Sequence, residues 1–253
     1  MLESILAADL LTFFLVFCRI GSAMVVLPGF GESYVSPRVR LLFALTVVVV
    51  TMPVVAPQLP PMPSGLGLVV PLVGEIGIGL FIGTAARILT SALQTAGTVI
   101  AFQINLSSAF VFDPMAGQQG AITSAFLSLV GLTLLFVTDL HHLLLRGLVD
   151  SYSVFVPGRL PPIGDFADAV SRLTADSFRI GIQLSAPFLL IGILISVGMG
   201  LLARLMPQVQ IFAVAPPVQI VTGLFALVLT LSFGMGWFLE WFEDRFVHLF
   251  AAT

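Results

Sequence analysis

The sequence contains no lysine; its ten basic residues are all arginine. Charge of either sign is scarce, at 9% of 253 residues, where a soluble domain carries about 25%. The net charge of −3 is thinly spread and no basic block exists, which excludes an electrostatic nucleic-acid surface. The single cysteine, Cys18, lies inside an apolar run, so neither an intrachain disulfide nor a cysteine metal cluster is available. The chain also lacks a phosphate-binding glycine loop, a nucleophile–base pair and a cofactor fingerprint. Enzyme chemistry therefore has no visible footing, and neither a cofactor nor a small-molecule substrate is expected. Glu3 and Asp9 but no basic residue precede Leu10, the reverse of a signal peptide, so the first apolar run is expected to stay as a membrane helix.

What the chain has in abundance is apolar residues. They make up 58% of it, with a mean hydropathy of +1.12, which places it among integral membrane proteins of mainly helical build. The apolar runs are Leu10–Leu27, Val39–Val55, Leu66–Ala86, Ala125–Thr138, Leu184–Leu205 and Ile211–Leu239, with Ile88–Val111 a more polar segment carrying Gln94, Gln103 and Asn105. Ser36-Pro37 reads as a helix start, and the proline-dense Pro57–Gly65 as a turn. Gly147–Gly164 reads as a loop. Asp165–Arg179 has a polar stripe, Asp165, Asp168, Arg172, Asp176 and Arg179, opposite Phe166, Val170 and Leu173, and is expected to be an interfacial helix and not a span. Pro187 is expected to break the sixth run and Pro216-Pro217 to break or kink the last, while Trp237 and Trp241 suit a membrane interface. If each run crosses once from an outer N-terminus, Arg204 alone contradicts the positive-inside rule. With no repeat or linker, a single all-helical unit over residues 1–253 is the simplest description.

Charges inside apolar runs need partners or water. Arg19, Glu75, Arg87 and Arg204 are such charges. Glu75 and Arg87 are twelve residues apart, roughly 18 Å on a straight helix, and cannot pair without a bend. Glu75 with Arg19 is the preferred intramolecular pair; a partner in another subunit and a proton relay are the alternatives. Gly79 and Gly83, and likewise Gly192, Ser196 and Gly200, step by four and offer smooth faces for helix packing. Asp139, His141 and His142 invite a metal reading, but adjacent helical histidines diverge by about 100°, so an interfacial, hydrogen-bonded role is expected of them. The most polar interruption is Ser107–Ser124, with Asp113-Pro114, Gly117 and Gly120. Lipid cannot satisfy its backbone, so it faces water or lines a space within protein. Asp113 and Pro114 suit a helix start, and the same loop suits a plug.

These landmarks, in this order, resemble the FliR family of flagellar export-gate proteins and its virulence counterparts, called SctT or SpaR. The matching pieces are Arg19 with Pro28; Ser36-Pro37 with Arg40; Glu75 with Gly79 and Gly83; Gly97 through Gln103 to Asp113-Pro114; Asp139 with His141-His142; Ser185-Ala186-Pro187; and Gly200 followed by ARLMPQVQIFAVAPPVQI. In that last stretch Arg204, Pro207, Gln208, Phe212 and Pro217 match the family signature, while Gln210 stands where Asn is usual and Gln219 where Lys is usual.

The resemblance implies an all-α protein of membrane-embedded helical hairpins. A FliP-like part, about residues 1–180, would precede a FliQ-like hairpin and tail, about 181–253. It implies assembly as a single copy with FliP-like and FliQ-like subunits, beside FlhB-like and FlhA-like export proteins, in the flagellar basal body of the bacterial inner membrane. Unfolded export substrates would pass through this gate. The family's plug loop falls on about Leu106–Gly120, where Phe110, Val111, Phe112, Asp113, Pro114, Met115, Gly117 and Gly120 would form the closure, and Pro207, Gln208, Gln210 and Pro217 would shape the C-terminal hairpin turn. A standalone secondary transporter is the alternative, but it predicts acidic or broken-helix sites in matching halves, and Glu75 stands nearly alone. An intramembrane enzyme would need a paired catalytic constellation. The details of the plug and of RLMPQVQ lean toward the flagellar version.

Overall fold

In a computed structural model of the chain, residues 2–58, 68–106, 122–158, 163–205 and 211–251 are described, and all of their regular structure is helical. The helices are α1 (Leu2–Val26), α2 (Pro37–Val55), α3 (Val69–Gln103), α4 (Ile122–Val137), α5 (Leu140–Val154), α6 (Ile163–Leu205) and α7 (Ile211–Ala251). Ser36 caps α2, its Oγ accepting from the Val39 N–H at 3.4 Å, and Pro37 occupies the first turn, where its missing N–H costs nothing.

Several elements differ from the sequence reading. The third run and the polar segment after it form one 35-residue helix, α3. Only Arg87, neither a proline nor a turn residue, separates Ala86 from Ile88, so the change in polarity does not interrupt the backbone. The helix stops short of Val111. Asn105 adopts a left-handed φ of 58°, a conformation asparagine tolerates well and one that terminates helices. The stretch read as the loop Gly147–Gly164 is helical up to Val154. Leu140, Leu144, Gly147, Leu148, Ser151 and Tyr152 bury one face of α5, and this burial outweighs the roughly 1 kcal/mol that a mid-helix glycine costs. Asp165–Arg179 is continuous with the sixth run in α6, because nothing between Arg179 and Leu184 stops a helix. Its polar residues Asp165, Asp168, Arg172 and Arg179 are exposed, and Leu173 is buried.

Pro187 does not break α6, and Pro216 and Pro217 do not break α7. Near the first of these, the Ser185 hydroxyl donates to the Ile182 carbonyl at 2.9 Å. The tail read from Glu240 onward continues α7. One crossing per apolar run is therefore too many. Among the described residues four helices, α2, α3, α6 and α7, are long and apolar enough to span a membrane, and α4 with α5 makes a fifth only if their 74° bend counts as one broken span.

The contacts divide into two compact units: residues 1–89, 135–174 and 243–253, and residues 90–134 and 175–242. The first has its core around Val16, Ile20, Met24, Ile82, Leu144 and Leu148, with Phe81 stacked on Phe166 at 3.9 Å and edge-on to Phe155 at 6.4 Å. The second has its core around Leu93, Ile100, Leu127, Phe188, Met235 and Phe238. Large apolar side chains on α6 (Leu190, Ile193, Leu194, Val197, Leu201) and on α7 (Val221, Phe225, Val228, Leu229, Phe233) remain exposed.

Candidate functional site

Arg19 is fully buried in the last third of α1, and Glu75, the seventh residue of α3, is 1% exposed. They meet as a two-pronged pair. Arg19 Nε donates to Glu75 Oε2 at 2.6 Å, and Nη2 donates to Oε1 at 3.1 Å. The remaining guanidinium edge reaches the far end of α5: Nη1 donates to Ser151 Oγ at 3.1 Å and Nη2 to the Phe155 carbonyl at 3.2 Å. The Tyr152 ring lies 3.9 Å from the guanidinium carbon, a cation–π contact. Glu75 Oε1 also accepts from the Gly158 N–H at 3.2 Å. Gly158 holds a φ of 81°, which glycine alone adopts without strain. One ion pair thus ties three helices and the turn after α5 together. A buried charge is tolerated only when its hydrogen-bonding capacity is met in this way.

The approach of α1 to α3 depends on absent side chains. A methyl group on Gly79 would overlap the Arg19 carbonyl oxygen and Ser22 Oγ, and one on Gly83 would lie 2.9 Å from the Ala23 carbonyl oxygen. Ser22 Oγ lies 3.0 Å from the Arg19 carbonyl and 3.2 Å from that of Ile76. Arg40 ties the turn between α1 and α2, its Nε donating to the Phe30 carbonyl and its Nη2 to that of Glu32, each at 2.9 Å. Arg87 is half exposed and meets Glu32 at 3.5 Å. It does not meet Glu75.

A second construction flanks the segment read as a plug. Within the second unit, Thr123 Oγ1 donates to the Gly97 carbonyl at 2.9 Å and Ser124 Oγ to that of Gln94 at 3.0 Å. A methyl group on Gly97 would overlap the backbone of Ser124. The start of α4 is therefore fastened to α3.

Phe110, Val111, Phe112, Asp113, Pro114, Met115, Gly117 and Gly120 lie outside the described residues, as do Pro207, Gln208 and Gln210 of the C-terminal turn. Of the second small-residue face, Gly192 packs against the Gln103 side chain, while Ser196 and Gly200 are exposed among the described residues. Arg204 is exposed in the last turn of α6, and Pro217 lies inside α7. The sequence reading missed Ser151, Tyr152, Phe155 and Gly158, because it placed them in a loop. The signal was there: Leu140, Leu144, Leu148 and Ser151 recur at helical spacing, and Pro157-Gly158 marks the turn that follows.

Comparison with known proteins places this arrangement. The sequence pattern described as bacterial export proteins, family 1, matches residues 10–245. The flagellar biosynthetic protein FliR of Caulobacter vibrioides is 39% identical over 219 residues, covering 86% of this chain and 87% of that protein. FliR of Bacillus subtilis is 30% identical over 87% of this chain and 86% of its own. The Yop proteins translocation protein T of Yersinia pestis is 27% identical over 87% and 85%. The chain belongs to bacterial export protein family 1, that of the FliR proteins, and is an inner-membrane component of a flagellar or type III secretion export apparatus.

Proposed function

We propose that the chain is a single-copy subunit of the export gate, which builds with FliP-like and FliQ-like subunits the conduit for unfolded substrates, beside FlhB-like and FlhA-like proteins. The observation that carries this reading is the fastening at the foot of the plug segment. Thr123 and Ser124, just after the fifteen residues 107–121, are bound to the carbonyls of Gly97 and Gln94, so the helix that follows the segment is fixed to α3. Such a polar stretch must line a space within protein or face water. In the proposed gate it closes the conduit, with Phe110, Phe112 and Met115 as bulk.

The exposed apolar faces of α6 and α7 support partners. A chain that leaves so many large apolar side chains uncovered needs lipid or other subunits over them. The small face at Ser196 and Gly200 suits close approach by a neighbouring helix, and residues from about 181 would form the FliQ-like hairpin. The Arg19–Glu75 clasp has a structural role in this proposal and no catalytic one. Energy for transport would come from elsewhere in the machine.

Deletion of Met115–Gln119 tests the reading. Membranes carrying the assembled variant complex should leak small ions, measured as conductance in planar bilayers. Background conductance with a complex of unchanged mass would mean that the segment is not the seal.

A further inference from the structure

Asp139, His141 and His142 lie at the corner where α4 turns through 74° into α5. His141 and His142 are consecutive in the first turn of α5, yet their rings come together. Asp139 holds a left-handed φ of 60° and makes no side-chain capping bond to α5, so its carboxylate is not engaged by the helix start. Its Oδ1 lies 3.5 Å from His142 Nδ1. The two histidine rings are 4.1 Å apart with 36° between their planes. His141 in turn stacks on Phe136 at 4.9 Å, and Phe136 packs against Phe30 at 5.7 Å, so the His141 ring rests on a supported aromatic surface. Its Nδ1 is shielded from solvent and has no hydrogen-bond partner among the described residues. Asp139 and His142 are open, with side chains 77% and 69% exposed.

One donor atom from each of the three residues lies within 4.8 Å of the others. Two ligands on a tetrahedral ion, each about 2.0–2.1 Å from it, stand roughly 3.3 Å apart. Asp139 Oδ1 and His142 Nδ1 are at nearly that separation already. The His141 donor closes a gap of at most about 1.5 Å, the difference between 4.8 Å and that spacing, which is within the reach of a side-chain rotation. Two imidazoles and one carboxylate suit zinc and its late transition-metal neighbours better than calcium or magnesium, which favour oxygen ligands throughout.

We propose that Asp139, His141 and His142 form a binding site for one divalent transition-metal ion of the zinc class, with water in the fourth position. The ion would join the residue before α5 to the first turn of α5 and stiffen the corner. The site uses this chain's residues alone, while its test in the assembled complex rests on the gate reading.

The test is a titration of the full chain, in its detergent-extracted complex with any affinity tag removed, with cobalt(II) alone. The chain has three histidines and one cysteine, so its own competing donors are few, and the variants below separate the site from donors on the partners. One equivalent should develop the visible absorption of four-coordinate cobalt, and zinc should abolish it by displacement. His142→Asn should remove the band. Asp139→Asn should weaken binding by at least about tenfold, the lower end of what even an outer hydrogen-bond partner is worth. Both positions are exposed, so folding should be unaffected, which the mass of the complex checks. His248→Asn, which breaks the separate His248–Asp244 pair at 3.3 Å, should leave the titration unchanged. Absence of the band in the wild-type complex, its survival in His142→Asn, or its loss in His248→Asn would each overturn the proposal and leave Asp139 and His142 as a plain hydrogen-bonded pair.

Discussion

Replacing Glu75 by Ala leaves the Arg19 guanidinium buried without its anion. Three hydrogen bonds disappear with the carboxylate: two from Arg19 and one from the Gly158 N–H. Arg19 is 0% exposed, so water cannot replace them without opening the helix contacts. Breaking a buried pair from one side costs about 3–5 kcal/mol, a large share of the roughly 5–15 kcal/mol that holds a domain together. In equilibrium terms that is about two to three and a half decades, at 1.4 kcal/mol per decade. Arg19→Leu should cost a similar amount by stranding Glu75.

The double variant Arg19→Leu/Glu75→Leu removes both charges, and its loss should fall at least about 2 kcal/mol short of the sum of the single losses. It should not be neutral, because the Phe155 carbonyl and the Gly158 N–H still lose partners, at about 1–3 kcal/mol for each buried group left unpaired. Unfolding of the purified chain in mixed detergent micelles, followed by circular dichroism, gives all four corners of the cycle. Single variants within about 1 kcal/mol of wild type, or strictly additive losses, would refute the clasp as an energetic unit.

Gly79→Val drives a branched side chain into the Arg19 carbonyl and Ser22 Oγ; because the backbone itself must move, the loss should reach or exceed the roughly 1–3 kcal/mol of ordinary overpacking, read in the same unfolding assay. Gly97→Val meets the Thr123–Ser124 backbone and should displace the start of α4; if the adjoining segment is the seal, this variant leaks ions in bilayers while the first unit keeps its stability. Gly200→Leu meets no atom within 4 Å, so the isolated chain should be unaffected within about 0.5 kcal/mol, while native mass spectrometry of the co-expressed complex should show subunit loss.

The parts of the fold legible in the sequence were those that burial makes costly to get wrong. A lone arginine and a lone glutamate in separate apolar runs pointed to each other because lipid leaves them few alternatives. Ser36-Pro37 marked a helix start through local chemistry alone. Proline misled at residue 187, because its cost in water was carried into a helix whose surroundings accommodate it. Glycine misled at 147 for a related reason: burial of Leu144 and Leu148 overrode local propensity. The third partner of the clasp, α5, was hidden by that same error. Asp139, which precedes α5 in a left-handed conformation, carries no sequence mark of that conformation.

The central claim is that this chain is one subunit of a mixed gate, and native mass tests it most directly. The full-length chain would be expressed alone and with FliP-like and FliQ-like partners, extracted in detergent and weighed intact. The account predicts one copy in a large mixed complex whenever the partners are present. A monodisperse monomer or homodimer, unchanged when the partners are present, would contradict it.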